Sequence, residues 1–179
     1  MKTLFTTAFC LFMVTLVLGA QEQTERLELL SDDSFERVVA NWHKNGKGGD
    51  FKQDPSGRTG ACLRIVNKAG QRTSLYSSAL IPVTPGKDTL KISLWVKGTG
   101  VFFLGGYLYG AGGRPYVSCF ASRKENVDSS GWVKKNFVFN TARFHKNART
   151  MRLVIEVPQG PMSDLYFDDL SGVKESPLP

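Results

Sequence analysis

Histidine and cysteine are scarce in this chain: 179 residues carry two His, His43 and His145, and three Cys. Neither His stands in a zinc spacing such as His-Glu-x-x-His, and no Cys-x-x-Cys, Gly-x-Ser-x-Gly elbow or phosphate-binding loop occurs. The common metal-, nucleotide- and serine-based enzyme signatures are therefore missing. Ser171 and Lys174 match Ser-x-x-Lys by spacing alone, close to the C-terminus and without the motifs that accompany it. Helical patterning is missing as well, since no segment longer than about ten residues repeats at 3.6. There is no low-complexity tract, and the 41% hydrophobic content is that of a chain that folds. The formal net charge of +7 comes from Lys and Arg scattered along the chain, which gives a weak preference for anionic partners without a nucleic-acid patch.

What is present begins with an export signal. Basic Met1-Lys2 precedes an apolar run over 8–18, the small pair Gly19-Ala20 and then polar Gln21-Glu22-Gln23. The run is too short to span a bilayer and no Lys/Arg cluster closes it, so membrane insertion is not expected. Cys10 lies inside the run rather than behind a cleavage box, which speaks against a lipid anchor. The expected organisation is a signal peptide over 1–20, a linker over 21–26, one domain over 27–174 and a tail over 175–179. The expected location is secreted or periplasmic, with no catalytic partner domain encoded. An oxidising compartment permits Cys62 and Cys119 to pair, closing a loop worth roughly 4 kcal/mol. Either cysteine also fits as a small apolar residue in its strand.

The apolar segments alternate at period two or are short runs of Val, Ile, Leu, Phe and Tyr bounded by Gly, Pro, Asn and Ser. Strands are predicted over 27–30, 62–67, 74–83, 89–97, 101–109, 116–122, 132–140, 150–157 and 165–173. Ile92, Leu94 and Val96 share one side of their strand, and Met151, Leu153, Ile155 and Val157 share one side of theirs, with Arg152 and Glu156 opposed. Pro85-Gly86, Gly98-Thr99-Gly100, the Gly-rich stretch 110–115 and Ser129-Ser130-Gly131 read as turns. Many strands with turn signals at short intervals mean a two-sheet sandwich or a closed barrel, and the fold class expected is all-β, a two-sheet antiparallel β-sandwich of jelly-roll type. Residues 41–60, rich in Gly, Lys, Asp and Asn, read as a long loop holding Trp42 and Phe51. Acidic residues collect at both ends, Asp32-Asp33-Ser34-Phe35-Glu36 and Asp164 with Asp168-Asp169. They serve either as turn acids bonding their own backbone or as hard oxygen ligands for calcium at one rim.

In order along the chain stand LLSDDSFE (29–36), Trp42, SGRTGACLRI (56–65), IPVTPGK (81–87), KISLWVKGTG (91–100), GWVKKNFVF (131–139) and LYFDDLSG (165–172). This succession resembles the landmarks of jelly-roll carbohydrate-binding modules of families four, nine and twenty-two, within the galactose-binding-like superfamily. The resemblance implies a structural calcium held by Glu36 and Asp168, completed by carbonyls around 56–60, with Asp169 and Asp33 in reserve. It also implies a sugar site on the concave sheet, where aromatic rings stack on the C–H patches of pyranoses. Trp42, Tyr76, Tyr107, Tyr109, Tyr116 and Arg114 are the candidates; Trp132 reads as packing, and Trp95 fits either face. The expected activity is non-catalytic binding of a poly- or oligosaccharide, acidic polysaccharides included. One alternative is a small polysaccharide lyase using Tyr107, Tyr109, Arg114 and His145. Another is an envelope interaction protein that keeps the fold without sugar binding.

Overall fold

The computed structural model describes residues 24–28, 35–36, 41–46 and 48–177. The signal segment 1–20, strand positions 29–30 and the acids Asp32 and Asp33 lie outside the described residues. The strands are β1 (Thr24–Glu28), β2 (Trp42–Lys44), β3 (Asp50–Asp54), β4 (Cys62–Asn67), β5 (Thr73–Ser77), β6 (Ile81–Pro82), β7 (Thr89–Tyr109), β8 (Tyr116–Ala121), β9 (Glu125–Asn140), β10 (Thr150–Val157) and β11 (Ser163–Pro177). Two single 3₁₀ turns, Ala111–Gly113 and Thr141–Arg143, sit in the connections.

All pairings are antiparallel and form two layers. Sheet A runs β3-β4-β11-β7-β9, with β1 beside the end of β11. Sheet B runs β2-β5-β10-β7-β8, with β6 beside β10. Strand β7 belongs to both: its first part pairs β11 and β9, and from Phe103 it pairs β10 and then β8. The fold is thus the expected two-sheet jelly-roll sandwich rather than a closed barrel.

Period-two patterning places the core between the layers. Leu90, Ile92, Leu94 and Val96 of β7 meet Met151, Leu153, Ile155 and Val157 of β10 and Leu165 and Phe167 of β11, all buried. Phe102 stands where β7 leaves sheet A, its ring edge-on to Phe167 at 5.1 Å and Phe137 at 6.2 Å. Each fully buried side chain of this size contributes roughly 1.5–3 kcal/mol. The buried polar groups are bonded: Asp88 accepts from the Thr84 N–H at 2.6 Å and from Ser176 at 2.8 Å, and Asn67 accepts from Thr73 at 2.6 Å.

Several expectations are corrected. Gly98-Thr99-Gly100 is no turn but the bend of one 21-residue strand. Gly98 (φ +110°) and Gly100 (φ +151°) adopt backbone that side chains disfavour, and a register shift lies between Val96 and Gly98. Ser129-Ser130-Gly131 also lies within a strand, β9. The segment 41–60 contains β2 and β3, and 74–83 divides into β5 and β6. At the termini, β1 pairs with Val173 to Pro177, so linker and tail positions belong to the sheet. Cys62 and Cys119 do not pair; Cys62 is buried on sheet A and Cys119 is exposed on sheet B.

Candidate functional site

The outward face of sheet B carries an aromatic strip. Alternation turns Leu104 and Leu108 of β7 to the core and leaves Tyr107 and Tyr109 outside. Tyr116 on the neighbouring β8 lies 6.2 Å from Tyr107 and 5.9 Å from Tyr109, measured between ring centroids. On the other flank Tyr76 of β5 lies 6.3 Å from Tyr107, and His43 of β2 lies 5.4 Å from Tyr76. The strip therefore crosses the sheet transverse to the strands. Tyr116, 57% exposed, is its open end.

Polar groups hold these rings in place. The Tyr107 hydroxyl accepts from Asn45 Nδ2 at 2.9 Å and shares a hydrogen bond with Ser74 Oγ at 3.1 Å. His43 Nε2 meets Ser78 Oγ at 2.8 Å. Burial pushes the Tyr109 phenol above its ordinary pKa, with Arg152 acting in the opposite direction. Tyr109 is accordingly a neutral hydroxyl at physiological pH.

Two hollows flank the strip. One, of about 310 Å³, is floored by Gly105, Val154 and Ala121, with Phe103 and Tyr107 as ring walls. At its side Arg72 Nη2 meets Glu156 Oε2 at 2.7 Å. The floor is low because Gly105 has no side chain; a Cβ there would lie 2.2 Å from the Phe120 carbonyl oxygen. The other hollow, of about 380 Å³, is lined by His43, Tyr76, Ser78, Tyr109, Gly113 and Arg152. Such a face offers ring stacking, hydroxyl hydrogen bonds and one guanidinium to a polyhydroxylated ligand.

Four tyrosines named from the sequence, Tyr76, Tyr107, Tyr109 and Tyr116, are thus brought together. Trp42 is not among them: only 4% exposed, its ring lies 5.6 Å from Phe35 in the core. The inward register of β2 puts it there. Arg114 is exposed in the β7–β8 connection, after the hollow's Gly113. His145 lies in the exposed connection after Thr141–Arg143, where its Nδ1 accepts from the Asn147 N–H at 3.2 Å, and it lines neither hollow. Sequence reasoning missed His43, Arg72, Phe103 and Glu156 as site residues, and missed Arg152 although its outward position was readable from the alternation of β10.

The outward face of sheet A is different. Trp95 lies on it beneath Arg58, whose guanidinium carbon is 4.2 Å from the ring centroid. Lys97 lies over Trp132 at 4.6 Å and Tyr166 at 5.0 Å, and Arg64 over Tyr166 at 4.8 Å. These rings are covered by cations rather than open.

Glu36 and Asp168 reach one loop from two sides. The Ala61 N–H donates to Glu36 Oε1 at 2.9 Å, and Gly60, at φ +74°, lacks the Cβ that would stand 2.0 Å from that oxygen. Asp168 accepts from the N–H groups of Arg58, Thr59 (3.3 Å) and Asp169 (2.8 Å). It is fully buried, and no basic side chain among the described residues pairs with it. Burial pushes its carboxyl above the usual range, while the N–H donors pull the other way. A buried carboxylate without a counter-charge, on a loop that a second carboxylate, Glu36, also bonds, fits a hard cation. Among the described residues no three of His, Cys, Asp and Glu gather, so most remaining ligands would be carbonyls and water. Asp169, the reserve ligand, instead pairs with Arg58 and accepts from Thr59 Oγ1 at 2.6 Å.

No protein-family model matches the sequence, and no curated protein matches it. Solved structures do share its fold. The family 11 carbohydrate-binding module of a Clostridium thermocellum cellulosomal cellulase superposes with a TM-score of 0.56 at 16% identity, covering 84% of this chain and 95% of that one. The family 22 xylan-binding domain of Paenibacillus barcinonensis Xyn10C gives 0.56 at 15%, covering 85% and 96%. The enzymatically active domain of bacteriophage CBA120 tailspike protein 4 gives 0.60 at 12%, covering 81% of this chain. This chain spans 21% of that tailspike domain's length and 28% of a Clostridium thermocellum xylanase's. The chain therefore has the jelly-roll fold of carbohydrate-binding modules.

Proposed function

We propose that this protein is a secreted or periplasmic, non-catalytic glycan-binding module whose ligand lies along the aromatic strip of sheet B. The observation that carries the reading is the run His43, Tyr76, Tyr107, Tyr116 and Tyr109 across one solvent-facing sheet, flanked by two hollows. Kinship of fold with modules named for carbohydrate binding supports it. Pyranose rings stack on such faces through their C–H patches, and the Tyr109 hydroxyl and the Arg152 guanidinium in the second hollow supply directional bonds. Affinity electrophoresis against a panel of neutral and acidic polysaccharides tests it. Retention on at least one polymer is expected, and Tyr107→Ala is expected to weaken it about tenfold, the scale of one stacking contact. No retention on any polymer sinks the proposal.

Glu36 and Asp168 would hold a calcium ion, which would supply a structural tie between the N-terminal segment, the loop over 56–60 and β11. Binding to the folded state alone raises stability by RT ln(1 + [L]/Kd), about 2.7 kcal/mol at a hundredfold excess over Kd. Melting should rise with added calcium and fall on chelation. An unchanged melt in both would remove the ion from the account.

One observation favours a second reading, polysaccharide lyase: His43, Tyr76, Tyr109 and Arg152 share a hollow. No catalytic motif in the sequence accompanies that hollow, and the fold neighbours include modules named for carbohydrate binding, so binding is the better-supported function. Unsaturated products absorbing in the ultraviolet would establish the lyase. The interaction-protein reading would be favoured by a sandwich face lacking an aromatic-lined groove, whereas sheet B carries the tyrosine strip.

A further inference from the structure

Resting on the reading of the sheet B face as a glycan site, we infer that the glycan carries carboxylates, as a uronate polymer does, and that Arg152 is the residue that selects them. Arg152 stands on β10 directly opposite Tyr107. Its Nη1 donates to the Ser77 carbonyl at 2.9 Å and to the Ser78 carbonyl, and its guanidinium carbon lies 5.9 Å from the Tyr76 ring. These contacts fix the plane of the group through one nitrogen. The N–H groups on Nη2 and Nε make no other bond among the described residues.

The charge is also unanswered. No carboxylate of the described residues lies within 4.0 Å of Arg152, and the hollow it lines with His43, Tyr76, Ser78, Tyr109 and Gly113 contains no acid. The neighbouring hollow is built the other way, its Arg72 neutralised by Glu156 at 2.7 Å. On sheet A, Arg58 and Arg64 pair with Asp169 and Asp164. Arg152 alone of these four arginines is half-buried, immobilised and without an acid, beside rings that suit a sugar.

A guanidinium presents a planar fork whose geometry matches two carboxylate oxygens, and charge-assisted bonds of this kind are roughly twice as strong as neutral ones. A neutral sugar hydroxyl would use one N–H and leave the charge unmet. A uronate seated over Tyr76 and Tyr109 brings the missing acid with it. The groove then reads as two unlike subsites, a neutral stacking hollow beside Gly105 and a carboxylate-selecting hollow at Arg152.

Matched polymers test this by calorimetry: a soluble uronate polysaccharide, the same polymer with its carboxyls reduced to hydroxymethyl groups, and a sulfated neutral polysaccharide. The wild-type protein is expected to bind the uronate polymer roughly tenfold or more tightly than its reduced twin, with that margin shrinking as salt rises. In Arg152→Gln the margin should vanish, the uronate polymer losing roughly tenfold more affinity than its reduced twin. Arg152→Lys, which keeps the charge but not the fork, should recover part of it, and melting curves check that both variants fold. Equal wild-type affinity for both twins overturns the inference and leaves the glycan site standing. So does a margin that survives in Arg152→Gln. Tighter binding of the sulfated polymer overturns the carboxylate assignment, and no binding to any polymer overturns the underlying reading as well.

Discussion

At the residue scale the two described cysteines carry a contrast that chemistry can read. Both lie in strands, yet alternation puts Cys62 inside and Cys119 outside. Burial, helped by the nearby charges of Asp168 and Asp54, pushes the Cys62 thiol from 9.0 up to about 11. A thiolate is the reacting species, so Cys62 is inert near neutrality on both counts. A short exposure of the folded protein to a thiol reagent at pH 8 should label Cys119 and leave Cys62 unmodified, as peptide mapping would show. Labelling of both at similar rates would contradict the burial of Cys62. The linkage has a definite sign: a raised acid pKa means the folded state holds its proton more tightly. The contribution of Cys62 to stability is therefore fully present below pH 9.0 and is lost as pH rises through about 11. An alkaline stability decline that diminishes in Cys62→Ala would isolate it.

At the scale of elements the molecule turns on β7, which serves both sheets and therefore has to bend. Gly98 is the point where it can, since a Cβ there would sit 2.0 Å from the Asp164 carbonyl and the backbone is at φ +110°. Gly98→Ala should cost about 1–3 kcal/mol, the usual scale for such strain, and lower the melting temperature. A neutral outcome would mean that β11 yields at Asp164. The same residues explain what the sequence did and did not disclose. Period-two alternation is a strong signal for strands buried on one face, and β4, β7, β8, β10 and most of β9 were legible from it. Glycines look alike in a turn and in a strand bend, so Gly98 and Gly100 split β7 in two. β3 was hidden because, of its residues, Phe51 is half-buried and Asp54 buried, the rest being exposed and polar. β2 is too short, at three residues, to show a period. The tyrosines of the site were legible because Tyr107 and Tyr109 flank Leu108 in one strand. Arg152 and His43 reach them through cross-strand register, which no local pattern encodes.

At the scale of the whole molecule the two outward faces divide the aromatic residues by role. On sheet A the rings of Trp95, Trp132 and Tyr166 lie beneath Arg58, Lys97 and Arg64 at 4.2 to 5.0 Å, contacts that occupy the surfaces a sugar would need. On sheet B one cation among the described residues, Arg152, approaches a ring, and at 5.9 Å it leaves the strip open. None of the three tryptophans lies on that strip, since Trp42 is in the core and Trp95 and Trp132 are on sheet A. Ligand binding and cation binding should therefore have different optical signatures. A glycan on sheet B should alter tyrosine emission while leaving tryptophan emission unchanged. Calcium held by Asp168 should do the reverse, because Asp168 stands opposite Trp95 in register and accepts from the backbone of Arg58, the residue stacked on that indole. Titrating each alone, with Tyr107→Ala as the control, separates the two sites in one experiment. If a glycan shifts tryptophan emission and Tyr107→Ala still binds it, the ligand has displaced the cations of sheet A, and the tyrosine strip is not where it sits.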